Sequence, residues 1–140
     1  MKKLLEGLHA AHIQEGSRTL DYSTPERLAA TQRASRTAHP LVRMHPDTGR
    51  KSLYLGYRVK KIVGMTNEES QPLLESLLEH ATRPQFVYRH VWRKDDLMIW
   101  DNRCTLHNAV NDYDRNQVRH MERATVSGTA SGYPYEGPLE

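Results

Sequence analysis

Cysteine is almost absent from this 140-residue sequence, where Cys104 stands alone. A single thiol excludes an internal disulfide and any zinc site built on several thiolates, and it fits a reducing, cytoplasmic compartment. Long apolar runs are missing as well. None approaches the roughly 20 residues that a membrane-spanning helix needs. The lysine-led start "MKKLLEGLHAAH" is interrupted by Glu6 and His9 where a signal peptide requires an unbroken apolar stretch. Nor is there a strong excess of one charge: 20 Lys and Arg face 17 Asp and Glu, interspersed rather than blocked. The sequence pI of about 9.1 is all that favours a nucleic-acid module, since no aromatic-basic stripe accompanies it. The balance suits a soluble protein with local anion sites, binding neither nucleic acid nor membrane. Apolar residues make up 37%, and even with the eight glycines the total stays just under the usual 45–50%, so one domain with a modest core is expected.

What is present begins as helix. Leu4, Leu5, Leu8 and Ala11 recur at helical spacing, and "STPE" announces a second helix capped by Ser23 or Thr24, with Pro25 in its first turn. Two short runs, Leu41–Met44 and Ser52–Leu55, flank the turn-rich "HPDTGR" and predict a β-hairpin or a looser loop. "TNEESQPLLESLLEHA" is the clearest helix, with Thr66 and Glu69 at capping-box spacing, a stripe of Leu73, Leu74, Leu77 and Leu78, and Pro84 beyond its end. Beyond it the chain reads as strand. "QFVYRHVW" alternates, "DLMIW" is continuously apolar as in a strand covered on both faces, and "QVRHMERATVSG" alternates again. Asp101 and Asn102 open a turn between the last two, with a supporting role beside a site as the alternative. The Gly- and Pro-rich "TASGYPYEGPLE" reads as loose surface coil. Helices followed by strands predict a mainly β fold with flanking helices.

The chemistry-bearing residues sit late in the chain. In "WDNRCTLH" a histidine, His107, follows a tryptophan-led segment, and Arg119 and Arg123 then share one face of an alternating run, about 13 Å apart along a strand. Guanidinium forks bind carboxylates bidentately, and a neutral imidazole can bind a metal. The plainer alternative is a polar strand-end histidine with arginines that are solvated or paired to Asp112 and Glu122.

"HPLVRMHPDTGRKSLYLG", the capped leucine helix, and "WDNRCTLHNAVNDY…RHMERATVSG" together resemble the C-terminal half of the TauD/TfdA family of Fe(II)- and 2-oxoglutarate-dependent dioxygenases, over about residues 39–128. The resemblance implies a partial double-stranded β-helix (a jelly roll), with residues 1–38 as a helical segment and 129–140 as a flexible tail. It implies oxidation of a small anionic carboxylate or sulfonate by O₂, with decarboxylation of 2-oxoglutarate to succinate. His107 is then the distant histidine ligand of the iron. Arg119 holds the far carboxylate of 2-oxoglutarate, and Arg123 faces the acidic group of cosubstrate or substrate. The spacing from His107 to Arg119 is similar to the herbicide-degrading branch, which favours a carboxylate substrate.

The family's His-x-Asp pair, with a threonine that helps hold 2-oxoglutarate, lies upstream of the first residue here. "HPD" at His45–Asp47 matches His-x-Asp formally, but Pro-Asp-Thr-Gly is turn chemistry. "His120-Met-Glu122" points away from the Arg119 face. One imidazole alone holds iron too weakly. The expectation is therefore a fragment that needs an N-terminal half or a homo-oligomer to complete its site. The alternative is an inactive remnant that binds a dicarboxylate or a partner chain.

Overall fold

The computed structural model describes residues 2–15, 24–25, 34–114, 116–126, 128 and 131–138. Helix α1 covers only Lys2–Leu5. It stops there because Gly7 takes a left-handed φ of +91°, the conformation that ends helices. The expected continuation is instead a strand, β1, over His9–Glu15. This corrects the helical reading of the opening segment: Leu8 and Ala11 keep helical spacing with Leu4 by chance, while Ala10 and Ala11 face opposite sides of a sheet. Of the second expected helix only Thr24 and Pro25 are described, and the remainder lies outside the described residues.

Strand β1 pairs antiparallel with β2 (Ala34–Pro40) in a register that sets Ala11 opposite Ala38 and His12 opposite Thr37. On its other edge β1 meets β5 (Val59–Ile62), with a bulge between Ala11 and His12. Strands β3 (Val42–Met44) and β4 (Lys51–Leu53) form the expected hairpin around "HPDTGR". The long helix α2 spans Asn67–Ala81, and both halves of its capping box are made: Glu69 N donates to Thr66 Oγ1, and Thr66 N donates to the Glu69 carboxylate.

Helix α2 lays Leu74 and Leu77 against Ala10, Leu41, Leu55 and Ile62, with Leu5 closing the cluster. Alanine at position 10 lets the helix approach the sheet closely. Ser70, fully buried beneath it, accepts the Ile62 N–H at 3.0 Å, so no donor is stranded at the helix–strand junction. On the opposite face Tyr135 covers Ala11 and Ala38.

Tyr135 belongs to the stretch expected to be loose. Tyr133–Pro134 forms β6, which pairs with β2 and completes a four-stranded sheet in the order β5-β1-β2-β6. The tail reading is thus corrected: burial of one aromatic ring and a short ladder tie the chain down. Gly132 permits the approach, since a β-carbon there would fall 2.4 Å from the Ala38 carbonyl oxygen.

The strands expected within 85–128 do not form among the described residues. Pro84–Phe86 makes a single 3₁₀ turn. Among the described residues from Val87 to Val126 every backbone hydrogen bond spans only three or four residues, as in Asp96 N to Arg93 O and Thr105 N to Asp101 O. Alternation assigns faces, but a strand also needs an edge to pair with. The apolar side chains of this stretch lie open, with Val118 at 97% and Ile99 at 84% exposure. Mainly antiparallel β with one long helix holds for the described fold; closure into a double-stranded β-helix is not seen in it.

Candidate functional site

The three residues singled out above all sit in the open stretch. His107 is exposed, its ring 5.2 Å from that of Trp100, whose indole N–H donates to Asn102 Oδ1 at 2.9 Å. Arg119 places its guanidinium 4.9 Å over the Tyr113 ring, an attraction between cation and π-face. Arg123 is exposed and makes no ion pair among the described residues. The acids offered as their partners are engaged elsewhere, Asp112 with Arg89 and Glu122 with His120. His107 belongs to no cluster of three or more metal-ligating side chains among the described residues. These residues by themselves therefore do not fit a held iron ion, which requires several donors at once.

Among the described residues one such cluster exists, and it lies where turns are expected. His45, Asp101 and Cys104 bring ligand-type atoms within 4.8 Å of one another. Asp101, however, is already saturated. Its carboxylate takes the Arg103 guanidinium through Nε at 3.0 Å and Nη2 at 2.7 Å, and the Arg103 amide at 2.8 Å. It also takes His45 Nε2 at 2.9 Å. The tautomer follows from geometry: His45 Nδ1 accepts the Asp47 and Thr48 amides, so Nε2 carries the proton donated to Asp101. Arg103 reaches back to Asp47 at 3.0 Å. Hydrogen bonds from Arg103, then from His45, hold the Asp101 carboxyl well below the usual carboxylate range, and Asp101 in turn raises the Arg103 guanidinium. A cation entering here would have to displace a guanidinium. The arrangement is a clamp between two turns. His45 and Asp47 accordingly serve the turn and do not join His107 in a triad.

A second constellation, with no counterpart among the sequence motifs, lies across the β1–β2 pair. A cavity of about 110 Å³ is lined by His12, Ser35, Thr37, His39, Tyr54 and Arg58 among others. The His12 ring stacks on Tyr54 at 5.0 Å and meets His39 edge-on at 4.9 Å. Its Nε2 is buried with no hydrogen-bond partner among the described residues. Burial, then the neighbouring His39 and Arg58, lowers the His12 pKa to about 4, and burial also lowers that of His39. The cavity thus offers neutral imidazoles, hydroxyls and one cation. No sequence signal marks it, because His12 and Thr37 become neighbours only through the β1–β2 register.

Comparison with known proteins places this geometry in context. The profile described as "Taurine catabolism dioxygenase TauD, TfdA family" matches residues 1–125. The alpha-ketoglutarate-dependent 2,4-dichlorophenoxyacetate dioxygenase of Burkholderia sp. (strain RASC) is 43% identical over 131 residues, covering 91% of this chain and 42% of that protein. The alpha-ketoglutarate-dependent sulfate ester dioxygenase of Pseudomonas putida is 37% identical over 139 residues, covering 91% of this chain and 44% of its own length. Among solved structures, AAD-2 in complex with Mn(II) and N-oxalylglycine superposes with a TM-score of 0.75 at 42% identity, covering 93% of this chain and 51% of that one. This chain therefore spans less than half the length of the two curated relatives.

Proposed function

This chain belongs to the TauD, TfdA family of dioxygenases, and on that premise we propose that it supplies the C-terminal part of an Fe(II)- and 2-oxoglutarate-dependent dioxygenase site in the cytoplasm. His107 contributes one imidazole to the metal. Arg119 receives the far carboxylate of 2-oxoglutarate, and Arg123 the acidic group of the cosubstrate or of a small anionic substrate. The substrate is a carboxylate or a sulfur oxyanion, in keeping with the aryloxyacetate and sulfate ester named in the two relatives. Bound together, metal and 2-oxoglutarate would activate O₂, which is the oxidant, 2-oxoglutarate giving up two electrons as it is decarboxylated to succinate and the substrate two as it is hydroxylated. This chain's own residues fix the anions by bidentate hydrogen bonds and charge.

The observation that carries this reading is 43% identity sustained over 131 residues with a dioxygenase of that class. The open stretch from Val87 to Val126 supports a further part of it. Its exposed apolar side chains and unladdered backbone suit residues whose strand neighbours come from the complementary portion of the same fold, supplied by another segment or a second copy.

The test is complementation. The 140-residue chain is mixed with the portion of the Burkholderia relative that it does not span, and Fe(II) and 2-oxoglutarate are added without oxygen. Formation of a visible metal-to-ligand charge-transfer band is expected, together with 2-oxoglutarate turnover once oxygen is admitted. His107→Ala abolishes the band, and Arg119→Ala raises the 2-oxoglutarate concentration it requires. A complex whose band survives His107→Ala overturns the assignment. A second reading, a binding remnant without turnover, is favoured by the exposure of all three residues; it predicts association with the complementary portion and no band.

A further inference from the structure

The clamp between the two turns lies outside the binding roles just given, yet it governs where His107 stands. We propose that Asp101 is a positioning residue for His107: gripped by His45 and Arg103, it fixes the turn that carries Trp100 and His107 and ties that turn to the β3–β4 hairpin. The inference rests on the proposed role of His107, and the experiment below separates the two.

Asp101 controls the turn through both its main chain and its side chain. Its carbonyl oxygen accepts Cys104 N at 3.3 Å, Thr105 N at 3.1 Å and Thr105 Oγ1 at 2.6 Å. Its carboxylate accepts the amide and the guanidinium of Arg103. The path from Trp100 to His107 is thereby folded back on itself, which brings the two rings within 5.2 Å. Among the described residues the rest of the surrounding stretch has only local backbone hydrogen bonds, and nowhere in it are they as dense as in this turn beside the imidazole.

The tie to the hairpin is long-range. The His45–Asp101 hydrogen bond joins residues 56 positions apart in sequence. Arg103 bridges Asp101 to Asp47 across the same gap. Just past the turn, Leu106 Cδ2 packs beside Gly56, 3.7 Å from where a β-carbon there would lie. The hairpin is itself rigid at this end, with His45 N donating to Arg50 O at 2.8 Å and Gly49 N to His45 O at 2.9 Å. A carboxylate is needed at position 101. Asparagine would present an NH₂ where either the His45 Nε2 proton or the guanidinium must be accepted, and would leave one donor facing another.

The test uses nuclear Overhauser contacts in the full chain, with the α2 signals and the far-ultraviolet circular dichroism as the check on folding. In the parent, contacts between the Trp100 and His107 rings and between the Leu106 methyls and Gly56 are expected. Asp101→Asn should lose both with α2 intact. The double variant His45→Ala/Asp47→Ala should lose only the second, because it removes both side-chain ties to the hairpin while the turn keeps its Arg103–Asp101 and main-chain bonds; this variant decides the matter if Asp101→Asn does not fold. Persistence of the Leu106–Gly56 contact in His45→Ala/Asp47→Ala, or of the ring contact in folded Asp101→Asn, overturns the proposal. Mn(II) added to the complemented assembly reports separately on His107: absence of broadening at its ring sinks the metal role and leaves the positioning result standing.

Discussion

At His12 a ring nitrogen is buried without a partner among the described residues, and the imidazole stays neutral down to about pH 4. The unfolded chain takes up that proton near pH 6.5. Between these values the unfolded state binds more protons than the folded one, so stability rises with pH across the window and falls on acidification through it. After discounting for the ring's partial exposure, the effect is about 1–2 kcal/mol. His12→Phe keeps the stack on Tyr54 and removes both the proton and the orphaned nitrogen. Denaturation midpoints at pH 7 and pH 4.5 should differ less in this variant than in the parent, the remainder coming from His39; an unchanged difference would refute the assignment. Asp101 acts in a separate window. Its carboxyl is depressed, so its contribution is complete above about pH 4 and is lost as the pH falls further, towards its folded value. Asp101→Asn should flatten the acid limb below pH 4 and leave the His12 window alone. Neither effect could be foreseen from residue types. His107, Arg119 and Arg123 stood out through family resemblance, whereas His12 and the partners of Asp101 are defined by neighbours far away in sequence.

Among the elements, helix α2 and the hairpin were legible because their determinants are local. A capping box, a leucine stripe and Pro-Asp-Thr-Gly each act within a few residues. Strand β1 departs from the helix that leucine spacing predicts, because Gly7, just past Leu5, is a stop signal that the spacing does not register. Alternation after Pro84 predicts strands, but pairing is a property of two segments side by side that no single run encodes. At this scale the decisive contact is the one between α2 and β5. Ser70→Ala strands the buried Ile62 N–H and should cost about 1–3 kcal/mol. Leu77→Ala opens the core beneath the same helix and should cost about 2–5 kcal/mol. Urea unfolding measures both, and a loss under 0.5 kcal/mol in Leu77→Ala, the scale of ordinary surface substitutions, would show that α2 is not held by this core.

Seen whole, the molecule divides its order unevenly. The β1–β2–β5 sheet with α2 holds the buried apolar residues, while Val87–Val126 leaves its apolar side chains open. Amide exchange should therefore be slow in α2 and β1 and fast from 87 to 126, apart from the turn held by Asp101. Addition of the complementary portion should slow exchange in that stretch by at least tenfold; no change would mean that its strands find no neighbours there. Family and general architecture could be read in the sequence because two motifs flank one helix in order. The open state of the stretch could not, because it depends on what lies beside it.

The two-residue strand at Tyr133–Pro134 is short, but it occupies the outer rim of β2 and holds Tyr135 in place over Ala11 and Ala38. Carboxypeptidase trimming or a stop codon at 131 would bare that rim together with an apolar floor. Rows of unsatisfied amides on such a border recruit copies of themselves. A practical rule follows for anyone handling the protein: purification handles belong at the other terminus, and preparations nicked near Gly132 are the ones to watch for filaments.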